Sequence, residues 1–174
     1  MNLDLTKRPE PSEHAPYYGR YISLVADGDI VATLERQQVE TQALLRALPA
    51  NKASHRYAPE KWSVAQVVRH MADTERVFAY RALAFARGDA TELPGFDENA
   101  YAEAAPFDGL PLAQVLDDVA AVRRATLTLL AGFDAQAWQR GGSANATPIS
   151  LRALAWVMAG HELHHRAILR ERYL

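Results

Sequence analysis

A chain of 174 residues without cysteine can bury a full hydrophobic core, but it cannot form a disulfide scaffold, a cysteine zinc site or a thiol nucleophile. Its formal net charge of −2 provides no strong basic field, so nucleic acid is not an expected partner. Residues 1–20 lack the apolar core of a signal peptide, and no apolar run reaches the roughly 20 residues of a membrane span. We therefore expect a soluble, cytoplasmic protein.

Four long segments carry apolar residues at helical spacing, and convincing alternating strands are missing. The first segment follows Asp27-Gly28-Asp29, where either aspartate can cap a helix, and it stops at Pro49. The second segment starts with Ser63 and Gln66, which have the spacing of an S-x-x-Q capping box, and Gly88 is a suitable terminator.

The connection between residues 88 and 111 is long and contains several prolines and glycines. Such a length indicates a crossover along a bundle or a cover over a functional site, rather than a tight turn. Within it, residues 97–104 are predicted to form a short helix. The third long helix begins at Leu112, repeats apolar residues at i, i+3, i+4 and i+7, and ends near Gly132.

The last long helix follows residues 139–146, which are predicted to form a polar, flexible loop. Thr147 and Ser150 are candidate caps for this helix. Its apolar stripe includes Leu154, Met158 and Leu169.

Together, four amphipathic helices without an internal repeat predict an all-α fold, a four-helix bundle with a long connection between helices 2 and 3. Residues 1–26 are predicted to be an N-terminal arm that packs on the bundle. Residues 27–174 are predicted to be the single bundle domain.

The strongest candidates for chemistry are the histidines of the last helix. His161 and His165 are one turn apart on its apolar face, so both rings can reach one ion. Burying two imidazoles costs free energy unless they are hydrogen-bonded or bound to a metal. The pair therefore predicts metal ligands, while satisfied core histidines or a surface cluster remain alternatives.

The same stretch matches H-E-x-x-H, the zincin pattern in which Glu162 would be the general base. The match favours a metal site more than a protease, because a zincin supplies a strand edge for its substrate and this sequence shows no convincing strands. Glu162 can also be a hydrogen-bond partner near the site or a surface charge. A third ligand must come from upstream, and His70, two turns after the Ser63 cap, is the best candidate.

Two sequence elements resemble those of the DinB/YfiT-like superfamily. Lys61-Trp62-Ser63-Val64-Ala65-Gln66, with His70 downstream, is similar to its KWS…H signature. Gly160-His161-Glu162-Leu163-His164-His165-Arg166 is similar to its C-terminal H-x-x-x-H element. The resemblance, which covers essentially the whole chain, implies a four-helix bundle that binds a divalent ion, nickel or zinc, through three histidines, often in a homodimer. On this chain the implied ligands are His70, His161 and His165.

The resemblance also implies a small-molecule substrate, because members include thiol-dependent S-transferases and proteins described as metal-dependent hydrolases. An ion with an open position can activate water, polarise a carbonyl or bind a low-molecular-weight thiol. Without cysteine, any thiol must arrive as a cosubstrate. Relatives often carry Gly-Gln where this chain has Ala167-Ile168, so hydrolase and transferase both stay open. The alternative is a non-enzymatic, stress-related bundle whose ion joins two helices.

Overall fold

The computed structural model describes residues 5–105 and 110–174. Its α-helices in those ranges are α1 (Gly19–Ile22), α2 (Ile30–Arg46), α3 (Val64–Ala86), α4 (Glu98–Ala104), α5 (Leu112–Ala131), α6 (Ala135–Trp138) and α7 (Leu151–Ile168). The strands β1 (Gly141–Ala144) and β2 (Thr147–Ser150) pair antiparallel. Within the described residues, 3-10 turns cover Pro11–Glu13, Pro16–Tyr18 and Ala50–Lys52, and a π-helical turn, Leu169–Tyr173, continues α7. The long helices α2, α3, α5 and α7 confirm the predicted four-helix bundle.

The helix starts confirm the signals in the sequence. Of the two candidate aspartates, Asp29 caps α2, because its carboxylate accepts a hydrogen bond from the Ala32 backbone at 2.9 Å. At the start of α3, the Ser63 hydroxyl accepts from the Gln66 backbone at 3.2 Å, and the Gln66 side chain accepts from the Ser63 backbone at 2.9 Å. Ser150, rather than Thr147, caps α7.

The four long helices are not arranged in chain order around the bundle. Both α2 and α3 pack on α5 and α7, so the consecutive pairs α2/α3 and α5/α7 lie across its diagonals. This arrangement requires connections that cross the ends of the bundle. Its consequence for the site is that α3 and α7, which carry the candidate histidines, are direct neighbours.

In the part of the chain that the structure describes, the core consists of two apolar clusters. The larger cluster joins α1, α3, α7 and the hairpin, and Trp156 and Phe85 are fully buried in it. The smaller cluster joins the end of α2 with the starts of α3 and α5 and with the π-helical turn, around Leu45, Val68 and Leu169. Apolar burial on this scale is the dominant driving force for folding, and it involves no metal ligand.

The prediction of a flexible loop over residues 139–146 is wrong, because part of this segment forms β1 and leads into β2. Asn145 and Ala146 join the strands, each with φ of 56°. Two consecutive left-handed residues form the type I′ turn that suits a two-residue hairpin. The strand β1 has no β-branched residue and so no strand signal. Its Gly142 is required sterically, because a Cβ there would lie 2.2 Å from the Phe85 ring.

The long connection between α3 and α5 packs on this hairpin. Leu93 pairs in parallel with the end of β1, donating to the Ser143 carbonyl at 3.0 Å and accepting from the Asn145 backbone at 2.9 Å. Asp97 then caps the short helix α4, which agrees with the short helix predicted over residues 97–104. Between these two anchors, the Pro94 carbonyl accepts a hydrogen bond from the Arg81 side chain of α3 at 2.8 Å.

The N-terminal segment contributes to the larger core cluster through Tyr21, Ile22 and Val25, all buried. Glu13 joins it to the start of α7, where the carboxylate accepts from the Ser150 hydroxyl at 2.7 Å and pairs with Arg152. The division into an arm of residues 1–26 and a bundle of residues 27–174 stays a prediction. Over the described residues, none of the helices has the length and hydropathy needed to cross a bilayer.

Candidate metal centre

The structure brings together the three histidines that the sequence singles out. His70 lies on α3, and His161 and His165 lie on α7. The Nε2 atom of His161 is 3.0 Å from Nε2 of His70 and 3.1 Å from Nε2 of His165. All three rings point their Nε2 atoms at one another from two neighbouring helices.

These distances fit coordination of one ion. Two imidazole nitrogen atoms bound to zinc at about 2.1 Å, with angles of about 90–110°, lie about 3.0–3.4 Å apart. The three candidate ligand atoms lie within 4.8 Å of one another. Imidazole nitrogen is a ligand that both zinc and nickel accept, and three protein ligands leave further coordination positions free.

The environment keeps the three rings uncharged. Burial, together with the nearby His164, lowers the pKa of His70 to about 4. Burial also lowers the pKa values of His161 and His165 well below the ordinary histidine value, and the neighbouring histidines lower them further. A neutral imidazole offers a nitrogen lone pair, which is the form that binds a metal.

At the ring edge opposite Nε2, His70 has contacts that fix its orientation, whereas His165 has no hydrogen bond there. The Thr74 hydroxyl lies 3.4 Å from Nδ1 of His70, and the Trp62 ring packs on the same imidazole with centroids 4.9 Å apart. Nδ1 of His165 is enclosed without a hydrogen-bond partner in the described part of the chain. On the Nδ1 side of His165, packing alone therefore holds the ring.

A cavity of about 250 Å³ opens beside His70 and His161. One wall comes from α3 and includes Phe78 and Arg81. The facing wall comes from the long connection and the hairpin, through Gly95, Phe96, Glu98 and Asn145. Three tyrosines of the N-terminal segment, Tyr17, Tyr18 and Tyr21, complete it. A small molecule in this cavity would contact aromatic rings and the candidate metal centre together.

Among the cavity residues, Tyr21 packs its ring on the His161 imidazole. Its ring centroid lies 5.4 Å from that of His161, and its hydroxyl accepts from Arg20 at 2.7 Å. Burial, with Tyr17 as a second cause, raises the pKa of Tyr21 to about 12. The phenol is therefore protonated at neutral pH. No motif in the sequence marks Tyr21 as a site residue, although Tyr17, Tyr18 and Tyr21 cluster in the N-terminal segment.

Glu162 lies in a buried ion-pair network. Its two oxygens accept from the Thr41 hydroxyl and from Arg123, the latter at 2.5 Å. Arg123 also binds both oxygens of Glu75, at 2.8 and 2.7 Å, and the Leu34 carbonyl at 3.1 Å.

Burial alone would lower the pKa of Arg123, but Glu75 and Glu162 outweigh burial and raise it. The network touches all four long helices. It occupies both Glu162 oxygens, which favours a structural role over that of a general base.

His164 lies outside the nitrogen cluster although it neighbours it in sequence. Its ring is partly exposed and lies 5.1 Å from the His165 ring, centroid to centroid. The two remaining histidines are away from the centre: His14 contacts the Ala15 carbonyl, and His55 packs edge-on against Tyr173.

This architecture is similar to that of a known protein. YfiT from Bacillus subtilis, described as "a probable metal-dependent hydrolase with an unusual four-helix bundle topology", matches with a TM-score of 0.70 and 20% identity. The match covers 97% of this chain and 95% of that chain, and at this identity it shows a shared fold. A search of curated protein sequences gives no match. The family model described as DinB superfamily matches residues 33–169, which is most of the sequence, and the chain therefore belongs to the DinB superfamily.

Proposed function

We propose that this protein is a metal-dependent hydrolase that acts on a small molecule in the tyrosine-lined cavity. The convergence of three neutral Nε2 atoms beside that cavity is the observation that carries the proposal. The description of YfiT as a probable metal-dependent hydrolase supports the same reaction class for this fold. When bound, a divalent ion with open positions supplies a Lewis acid that polarises a carbonyl and activates water.

The residues around the centre have distinct roles in this proposal. His70, His161 and His165 hold the ion, nickel or zinc, through their Nε2 atoms. Tyr21, whose ring packs on His161, carries a protonated hydroxyl that is available as a hydrogen-bond donor. Phe78, with the other aromatic residues of the cavity, binds the apolar part of a substrate and excludes water.

Thiol transfer is the second candidate reaction. The sequence has no cysteine, so a low-molecular-weight thiol would enter the same cavity as a cosubstrate. A thiolate is a good ligand for zinc, which makes the neutral histidine cluster suitable for this chemistry as well. The non-enzymatic alternative, a stress-related bundle with a structural ion, uses the same ligands but requires no cavity. The homodimer and the cytoplasmic location stay predictions.

Metal content is the first test. We expect about one zinc or nickel ion per chain, measured by mass spectrometry on protein purified without metal-affinity chromatography. His161→Ala should lose this metal, because Nε2 of His161 contacts both other candidate ligands. His164→Ala is the matched control and should keep it. Metal at the wild-type ratio in His161→Ala would contradict the proposed centre.

Turnover then separates the two reactions. Small esters and amides are incubated with the metal-loaded protein, with and without an added low-molecular-weight thiol. Release of product in water alone, lost in His161→Ala and kept in His164→Ala, supports hydrolysis. Turnover that depends strictly on the thiol selects transfer, and a loaded protein inactive under both conditions favours the structural alternative.

A further inference from the structure

Arg81 is a buried cation in the wall of the cavity. The residue is 3% exposed, yet no carboxylate lies within 4.0 Å of its nitrogen atoms among the described residues. Its polar contact is one hydrogen bond, from Nη2 to the Pro94 carbonyl at 2.8 Å. A guanidinium has five N–H donors, and burying it without an anion is costly. The structure therefore contains a largely buried positive charge that no carboxylate of the described residues compensates.

Two other arginines of comparable burial show how this fold compensates a buried positive charge. Arg123, also 3% exposed, binds the carboxylates of Glu75 and Glu162. Arg166, 5% exposed, binds Glu40 at 2.9 Å. Arg81 differs from both because its surroundings offer a carbonyl oxygen and aromatic rings. It also differs in position, since it is the one of these three that lines the cavity.

The Arg81 side chain is directed along the cavity toward the histidines. His70, Thr74, Phe78 and Arg81 follow one face of α3, with about 16 Å of helix rise between the first and the last. Side chains on a helix lean toward its N-terminus. Accordingly, the guanidinium carbon lies 5.6 Å from the centre of the Phe78 ring, one turn closer to His70.

The unused donors of Arg81 are accessible from the cavity. Among residues 5–105 and 110–174, several side-chain nitrogen atoms are fully enclosed and lack a hydrogen-bond partner. None of these atoms belongs to Arg81. The acidic residue in the cavity wall, Glu98, is exposed and lies beyond ion-pair distance of the guanidinium. An anion that enters the cavity can therefore reach Arg81 without displacing an acidic side chain of the described chain.

We propose that Arg81 binds a carboxylate carried by the substrate, while the reactive acyl group lies at the histidine cluster. The inference rests on the proposed function and specifies its substrate class. The substrate would be an acyl compound with an apolar or aromatic middle and a carboxylate at the far end. The two ends are separated by a distance on the order of 10 Å, given the helix rise between His70 and Phe78. A bidentate contact between guanidinium and carboxylate supplies both affinity and orientation.

Binding to the metal-free protein tests this without any turnover. After treatment with EDTA, 3-phenylpropanoate and its neutral analogue 3-phenylpropanamide are titrated by calorimetry. We expect the wild-type protein to prefer the carboxylate at least tenfold. Arg81→Gln should abolish that preference, and Arg81→Lys should retain part of it. Arg87→Gln, which changes an exposed arginine at the end of the same helix, should leave it intact.

The wild-type comparison stands even if Arg81→Gln does not fold. Equal affinity for the two probes, or binding of neither, overturns the inference. Failure of the proposed function is a separate result. If the protein turns over no ester but still prefers the carboxylate through Arg81, the anion site is supported and the hydrolase proposal is wrong. Conversely, turnover with equal affinity for both probes leaves the hydrolase and removes the anion site.

Discussion

Gly160 of α7 faces the backbone of Tyr21 so closely that a Cβ atom at residue 160 would lie 2.0 Å from the Tyr21 carbonyl oxygen. The contact sets how α1 lies on α7, one residue before His161. Because Tyr21 packs on the His161 ring and lines the cavity, the space at Gly160 determines where this phenol lies relative to the candidate metal centre.

Gly160→Ala should therefore displace α1. We expect a loss of about 2 kcal/mol or more in the free energy of unfolding, because an overpacked backbone contact cannot relax by a change of rotamer. Urea denaturation measures it. Gly19→Ala is the control: Gly19 lies in α1 itself, and its added Cβ would have ordinary contact with His14 at 3.8 Å. Equal stability of both variants would show that α1 can shift without cost.

The Arg123 network predicts a large effect of one substitution. Arg123→Met removes the charge that compensates Glu75 and Glu162, leaving two carboxylates buried. Losing one partner of a buried ion pair costs about 3–5 kcal/mol. Arg124→Met, at the exposed neighbouring position, should change the free energy of unfolding by less than about 0.5 kcal/mol. Similar midpoints in urea for the two variants would refute this account of the network.

Chelation distinguishes a catalytic ion from a structural one. Both core clusters fold the bundle without a metal ligand, so we expect the EDTA-treated protein to stay folded. A ligand at 100 times its Kd adds about 2.7 kcal/mol, which for a chain of this size corresponds to a shift of roughly 5–11 °C in Tm. Circular dichroism during heating measures the shift. Collapse of the helical signal at 25 °C on chelation would favour the structural alternative.

The contact between Glu13 and α7 predicts a pH dependence. Burial alone would raise the pKa of Glu13, but hydrogen bonds from Arg152, from the Glu10 backbone and from Ser150 outweigh it and hold the pKa below 4.5. A carboxylate whose pKa is lower in the folded protein than in the unfolded chain stabilises the fold at pH values above its unfolded pKa. That stability disappears as the pH falls through the lowered pKa.

Glu13→Gln should therefore cost about 1 kcal/mol at pH 7, as expected for a partly exposed pair with charged hydrogen bonds. The difference from wild type should shrink below pH 4.5. Glu60→Gln, at an exposed position, should match wild type at every pH. A Glu13→Gln deficit that is constant from pH 7 to pH 3 would mean that the carboxylate charge is not responsible.

The parts of this molecule that could be predicted are those whose signals are local. The Ser63–Gln66 capping box and the Asp29 cap need only residues within one helical turn, so the sequence states them directly. The His161 and His165 pair follows from helix periodicity. Pairing them with His70 requires that α3 and α7 be neighbours. The residues make His70 the best candidate and the family resemblance implies it, but helix periodicity does not show which helices are adjacent.

The parts that could not be predicted depend on contacts between distant segments. The hairpin has weak strand signals, and its stability comes from Gly142 against Phe85 and from pairing with Leu93. Arg81 reads in the sequence as one more charged helix residue, and its burial arises from the connection that covers it. Glu162 matched a catalytic pattern at short range, but Arg123 from another helix determines its environment.

The diagonal order of the helices has a consequence for protein synthesis. His70 and His161 are 91 residues apart, and α5 and the hairpin are translated between them. Closing a loop of that length is costly before native contacts reward it. The three nitrogen atoms thus come together after the ribosome has passed through α7. A premature stop before that helix leaves a nascent chain with His70 but without the two histidines of α7 that complete the candidate centre.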